Sequence, residues 1–139
     1  MLISSHAIQQ NESVIYLDLD GRFDSGFLEK RGVDSSRFHL FQPAPDQVKA
    51  TLLGLDAWLH QHTDEHVTWL IVDGAADVRS LKECQRKWAF VLLTASRSLQ
   101  QEYKWWNYRF QLTRNEREVQ MRLIAPLIGN TFTVNAIDA

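Results

Sequence analysis

Trp69-Leu70-Ile71-Val72-Asp73-Gly74 decides the fold, because a short apolar run ends abruptly in an acidic residue and a glycine. A continuous apolar run closed by a turn signal is typical of a strand buried on both faces of a parallel sheet. Residues 14–21 have the same pattern, and residues 90–94 repeat its apolar part. Ligands and partners of open α/β sheets meet the carboxyl ends of such strands, so we expect the functional residues there. The side chains expected at that edge are Asp18, Asp20, Asp73 and Thr94.

The composition is that of an ordinary globular domain. Of the 139 residues, 45% are hydrophobic, which is enough to bury a core, so we expect one domain over residues 1–139. No apolar run approaches the roughly 20 residues that span a bilayer, so we expect no membrane partner. The single cysteine, Cys84, excludes an internal disulfide and a cysteine-based metal cage. With a formal charge of -2, any nucleic-acid contact requires a local basic patch.

Helical periodicity predicts parallel crossovers between the strands. Residues 37–41 alternate as an edge strand does, and a helix with one apolar stripe follows them. The positions of that stripe are Val48, Leu52, Leu55 and Leu59. A strand, a helix and a strand in this order make a right-handed parallel crossover. A second helix is expected over residues 78–87, and its inward positions are Leu81, Cys84 and Trp88.

The two ends of the chain differ from this middle part. Residues 1–12 are polar and short, and we expect a flexible or poorly defined N-terminus there. Residues 108–113, 119–125 and 131–134 have the pattern of three strands joined by short turns, which predicts a β-meander. The predicted fold class is therefore α/β, with a parallel sheet, crossover helices and a C-terminal antiparallel meander.

The order of these segments resembles the RecA-like recombinase core and is most similar to the eukaryotic recombinase paralogues. Residues 16–23 are similar to the family's strand that carries a catalytic carboxylate before a glycine, and Asp20 occupies that place. Residues 70–73 resemble the Walker B strand, whose aspartate, here Asp73, helps to hold magnesium. Similar segments follow up to the apolar-Asn-x-apolar-Asp ending, so the resemblance covers residues 14–139. It implies a truncated RecA-like core.

The chain departs from that family where nucleotide would bind. The family's phosphate-binding loop and its lysine precede the first strand, and neither is in this sequence. Ala95-Ser96 replaces a sensing Asn-Gln pair, and both loops that family recombinases use on DNA are shortened. Without amides and a lysine to hold a triphosphate, Asp20 and Asp73 are vestigial nucleotide-site positions. We therefore expect no enzymatic activity, no cofactor and no bound metal.

Two groups of side chains are candidates for binding. Basic residues recur on one face of the second helix and continue in the next loop, where a shortened DNA-binding loop lies in the resembling family. These candidate DNA-binding residues are Arg79, Lys82, Arg86 and Arg97. Three roles are open to Trp105 and Trp106, namely stacking on bases, anchoring a partner interface and packing in the core. We expect one of them to be a core residue and the other an interface residue. The alternative for the basic residues is a solvated helix face.

Other chemical interpretations are weaker. Asp73 either binds a metal or caps the turn into the next helix. A paired-carboxylate site formed by Asp18 and Asp20 is not expected. The spacing of His60, His62 and His66 fits a solvated loop better than a metal site.

The leading hypothesis is a non-catalytic RecA-like subunit of a DNA-repair complex, similar to the minimal recombinase paralogues of the Shu complex. Such a subunit forms a hetero-oligomer with a recombinase paralogue or recombinase and assists its filaments on single-stranded DNA during homologous recombination. It would be nuclear in a eukaryote and cytoplasmic otherwise. The alternatives are a cell-division inhibitor like SulA, which binds a filament-forming GTPase, and a RecA-like scaffold subunit of the Elongator type.

Overall fold

The computed structural model describes residues 2–74, 81–95, 109–114, 119–125 and 131–134. The chain divides into two units, Met1–Leu99 and Gln100–Ala139, and each is described by itself. The single domain predicted for residues 1–139 stays a prediction.

A four-stranded parallel sheet forms the centre of the first unit. Its strands are β1 (Ser13–Asp18), β2 (Phe38–Phe41), β3 (Val67–Asp73) and β4 (Val91–Ala95). They lie in the order β2-β1-β3-β4, and every neighbouring pair is parallel. All residues of β1 are buried, because it has a strand on each side. The predicted parallel sheet of an α/β fold is confirmed, with β2 at an edge.

Helices cover the two faces of this sheet. They are α1 (Leu2–Gln9), α2 (Gly26–Lys30), α3 (Val48–Gln61) and α4 (Leu81–Trp88), and a short 3-10 helix (Ser35–Arg37) precedes β2. On one face, α1 and α2 pack with Val14, Tyr16 and Ile71. Alternate strand residues such as Leu17 and Leu70 are also buried and belong to the other face, where right-handed crossovers place α3 and α4.

The helical stripes of α3 and α4 agree with their periodicity. Leu52, Leu55 and Leu59 of α3 are buried, as predicted. In α4, which the structure describes from Leu81 onward, Leu81 and Cys84 are buried, and burial raises the pKa of the Cys84 thiol to about 11. Trp88 is only half-buried.

A helix lies within the segment that is expected to be a flexible or poorly defined N-terminus. Residues 2–9 form α1, whose Ala7 and Ile8 are 2% and 5% exposed against the sheet. After the helix, Asn11 adopts a left-handed φ of 61°, and Glu12 accepts a hydrogen bond from the indole N–H of Trp69. Part of α1 is therefore buried in the core, and the flexibility expected for residues 1–12 stays a prediction.

The second unit contains the antiparallel sheet that the sequence predicts. Its strands are β5 (Arg109–Arg114), β6 (Val119–Ala125) and β7 (Thr131–Val134). Strand β6 pairs with both others in antiparallel register, which makes a meander. Within the described parts of both units, no helix is long and apolar enough to cross a membrane.

Candidate functional site

The candidate site lies between β1 and β3, where the chain connections of the sheet diverge. From β1 the chain goes to β2 on one side, and it then crosses to β3 on the other side. Such a switch point leaves a crevice outside the carboxyl ends of the strands. Asp18 and Asp73 are register partners across it, whereas Thr94 lies one row further in, opposite Val72.

Asp18 organises the loop that follows β1. Its side chain is 1% exposed, and it accepts hydrogen bonds from the backbone N–H groups of Phe23 at 2.9 Å and Arg22 at 3.1 Å. The amide of Gln42, just after β2, donates to the same carboxylate at 2.9 Å. Burial disfavours the charged form, but the bonds from Gln42 and from the backbone of Phe23, Arg22 and Gly21 outweigh it and lower the pKa of Asp18. Asp18 therefore stays charged and ties the loop to the end of β2.

Arg22 joins Asp20 to Asp73. Its Nη2 atom lies 2.7 Å from Asp20 Oδ2 and 3.3 Å from Asp73 Oδ1. The other oxygen of Asp73 accepts a hydrogen bond of 2.8 Å from the hydroxyl of Tyr16. The side chains of Arg22, Asp20 and Asp73 are 24% to 41% exposed, so water screens the ion pairs and each stabilises the fold only weakly.

Tyr16 connects this polar group to the core. Its ring packs against Phe23 and Phe38, with centroid distances of 5.3 and 5.8 Å. Burial, the hydrogen bond to Asp73 and the negative charges of Asp73 and Asp18 raise the pKa of Tyr16 well above its usual value. The phenol thus remains a hydrogen-bond donor to Asp73.

Gly74 allows the two strand ends to approach closely. It has a φ of 124°, which side-chain-bearing residues rarely adopt. A Cβ atom there would lie 2.8 Å from the Cβ of Leu19 and 3.0 Å from Asp20 Oδ1. The glycine that closes the decisive sequence stretch is therefore needed to seat Asp20 beside Asp73.

The arrangement links loops and leaves none of these three carboxylates free. Asp18 accepts from backbone N–H groups and from Gln42, and Asp20 accepts from the guanidinium of Arg22, so the two carboxylates share no donor atom. For Asp73, the partners among the described residues are Tyr16 and Arg22. In the described part of the chain, no three His, Cys, Asp or Glu side chains come together as a metal site.

Most of the predicted binding residues fall outside the described residues. These are Arg79, Arg97, Trp105 and Trp106, together with Ser96 of the predicted sensing position. Lys82 and Arg86 lie in α4, and Arg86 is exposed. The basic helix face and the tryptophan interface stay predictions.

The histidines near the end of α3 make separate contacts. Nδ1 of His60 lies 3.1 Å from the carbonyl oxygen of Asp56. Nδ1 of His62 lies 2.8 Å from the carbonyl oxygen of Trp58, and the two rings stack at 3.9 Å. Both imidazoles thus contact backbone carbonyl oxygens of α3.

Sequence reasoning missed three residues of the site, namely Tyr16, Arg22 and Gln42. Tyr16 lies within an apolar run and was therefore assigned to the strand alone. Its position two residues before Asp18, on the same strand face, could have indicated it. Gln42 directly follows the edge strand, so the convergence of parallel strand ends could have indicated it. Arg22 pairs with a residue 51 positions away, and no local pattern signals such a contact.

No known protein family matches this chain, and no curated protein matches it either.

Proposed function

We propose that this chain is a non-catalytic RecA-like subunit of a DNA-repair complex. It binds a recombinase paralogue or recombinase in a hetero-oligomer and assists recombinase filaments on single-stranded DNA. The observation that carries the proposal is the Asp20-Arg22-Asp73 bridge between the ends of β1 and β3. In the resembling RecA-like core, the positions of Asp20 and Asp73 belong to one nucleotide site. The proposal therefore requires these two residues to be neighbours.

The bridge also supports the loss of catalysis. In the resembling family, the aspartate at the position of Asp73 helps to hold magnesium. Here the guanidinium of Arg22 contacts both carboxylates and supplies the positive charge from within the chain. The single positive charge of this guanidinium offsets one of the two negative charges without a bound magnesium ion.

Helix α4 is the proposed contact with DNA. Its inward residues Leu81 and Cys84 fix which side is buried, and the exposed Arg86 lies on another side. Together with Arg79 and Lys82, it would contact phosphates without regard to base sequence. Such binding weakens as salt displaces the contacts.

The test is fluorescence anisotropy of labelled single-stranded DNA titrated with the full chain at low and moderate salt. The variant changes Arg79, Lys82 and Arg86 together to Ala. A matched control removes three positive charges elsewhere, at the exposed Lys30, Lys49 and Arg122. We expect salt-sensitive binding that the first variant loses and the control keeps, with a shallower salt slope in the first variant.

The partner part of the proposal needs its own experiment. Affinity purification of the tagged chain from its source cells, followed by mass spectrometry, is expected to recover a recombinase paralogue or recombinase. Recovery of a filament-forming division GTPase or of Elongator subunits would instead favour one of the two alternatives. Equal DNA binding by the two triple variants would overturn the role of α4 but not the role of the partner.

A further inference from the structure

A cavity of about 230 Å³ lies at the opposite end of the sheet, by the amino ends of β3 and β4. The apolar residues that line it are Leu59 of α3, Val67 of β3 and Trp88. Leu59 and Val67 are each 4% exposed, so these walls belong to the core. The indole N–H of Trp88 donates to Asp56 Oδ1 at 2.8 Å, which orients the ring.

The rim of this cavity is acidic. Asp64 and Glu65 line it, and Thr63 and His66 complete the lining, so no lysine or arginine of the described residues contributes. Glu65 pairs through Oε2 with His39 and Ser13. Asp64 is exposed, and within the described part of the chain its carboxylate makes no hydrogen bond or ion pair.

Lys87 of α4 pairs with an aspartate other than Asp64. Nζ of Lys87 lies 5.4 Å from the centroid of the Trp88 ring, but it pairs with Asp56 Oδ1 at 3.3 Å. The cavity is thus lined by Trp88, whose ring is oriented by Asp56, by the apolar residues Leu59 and Val67, and by Asp64. The carboxylate of Asp64 has no counter-ion among the described residues.

We infer that this cavity receives an arginine side chain of a partner protein. A planar guanidinium is able to stack on the Trp88 ring and pair with the Asp64 carboxylate, while its methylenes contact Leu59 and Val67. Since one water occupies about 30 Å³, the cavity holds roughly seven water-sized groups, as many as the non-hydrogen atoms of an arginine side chain. The inference shares with the proposed function only the need for a protein partner.

The probe is the peptide acetyl-Ala-Arg-Ala-amide, and acetyl-Ala-Gln-Ala-amide is the neutral comparison. Each is titrated into the full chain, and the Trp88 indole N–H resonance is followed by NMR after its assignment with Trp88→Phe. We expect weak, saturable shifts with the arginine peptide alone. Asp64→Asn is expected to weaken that binding about threefold, which is typical of one exposed ion pair.

Asp46→Asn is the matched control, because Asp46 is also exposed but precedes α3 and does not line the cavity. It is expected to leave the affinity unchanged. Equal binding of both peptides, or equal affinities of the two Asn variants, would overturn the inference. Because the experiment contains neither DNA nor a recombinase, its failure leaves the proposed function standing, and the reverse also holds.

Discussion

Acidic residues lie at both ends of the parallel sheet, but they are used differently. At the carboxyl ends of β1 and β3, Asp18, Asp20 and Asp73 all have partners within the protein. At the amino end of β3, Asp64 has none among the described residues, and it borders a cavity. The end that the sequence marks as functional is thus internally satisfied, whereas a carboxylate available to another molecule lies at the opposite end.

A carboxylate at the carboxyl end of a parallel strand is therefore not by itself free to bind a ligand. A buried carboxylate must be paired or hydrogen-bonded, because leaving it unsatisfied costs several kcal/mol. The carboxyl-end crevice meets this requirement with backbone N–H groups, Gln42, Tyr16 and Arg22. In solvent, Asp64 needs no such partner and keeps its capacity to bind.

The largest difference in the free energy of unfolding is expected between Asp18→Asn and Asp64→Asn. The first places an amide against the buried donors that Asp18 satisfies, and we expect the free energy of unfolding to fall by about 2–4 kcal/mol. The second is expected to change it by less than about 0.5 kcal/mol, as is usual for exposed sites. Urea denaturation followed by circular dichroism measures both, and similar losses would remove the distinction between the two ends.

The pH dependence sharpens this contrast. Because its folded-state pKa is lowered, Asp18 contributes stability that is present above its unfolded pKa, near 4, and is lost as the pH falls through its folded pKa. The stability difference between the unchanged protein and Asp18→Asn is therefore expected to shrink below about pH 4. A difference that stays constant down to acid unfolding would show that the charge of Asp18 is unimportant.

Gly74→Ala is expected to have the next largest effect. The new Cβ would clash with Leu19 and face Asp20 in a left-handed backbone, costing about 2–4 kcal/mol of unfolding free energy. Gly54→Ala is the matched control, because Gly54 lies in α3 and a Cβ atom added there would meet no neighbouring side chain within 4 Å. That control is expected to stabilise the protein by about 0.5–1 kcal/mol. Thermal melting of both variants decides the matter, and a harmless Gly74→Ala would contradict the close approach.

The smallest change in the free energy of unfolding is expected when hydroxyl groups that donate to carboxylates are removed. Tyr16→Phe keeps the ring packing but removes the 2.8 Å bond to Asp73, so we expect a loss of about 1–2 kcal/mol. Ser13→Ala removes a longer hydrogen bond, of 3.2 Å, to Glu65. Because Glu65 still has His39 as a partner, we expect a smaller loss of unfolding free energy. Urea denaturation at pH 7 ranks the two, and a larger loss for Ser13→Ala would reverse the comparison.

The parallel sheet and its helices were predictable because their signals are local. The apolar runs of β1 and β3 and the stripe of Leu52, Leu55 and Leu59 each follow from spacing alone. Helix α1 was missed because its order depends on packing against strands that come later in the chain.

The site was predictable in position but not in its bonding. Continued strand alternation would place Asp18 and Asp20, two positions apart, on the same face. Strand β1 instead ends at Asp18, which is buried, and Asp20 lies half-exposed in the loop that follows. The turn at Gly21, with a φ of 65°, brings the backbone N–H groups behind it onto Asp18. The long side chain of Arg22 then reaches Asp73 across the sheet, a contact that only the tertiary structure specifies.

The pairing of β1 with β3 has a consequence for biosynthesis. Tyr16 and Asp73 are 57 positions apart, so β1 leaves the ribosome long before its central neighbour exists. At about 5–20 residues per second, the delay is roughly 3 to 11 seconds. During that time β1 has only the short edge strand β2 to pair with, and its apolar side chains are open to chaperones and to other nascent chains. The same strand that has a neighbour on each side in the folded sheet is therefore exposed to aggregation while the chain is being made.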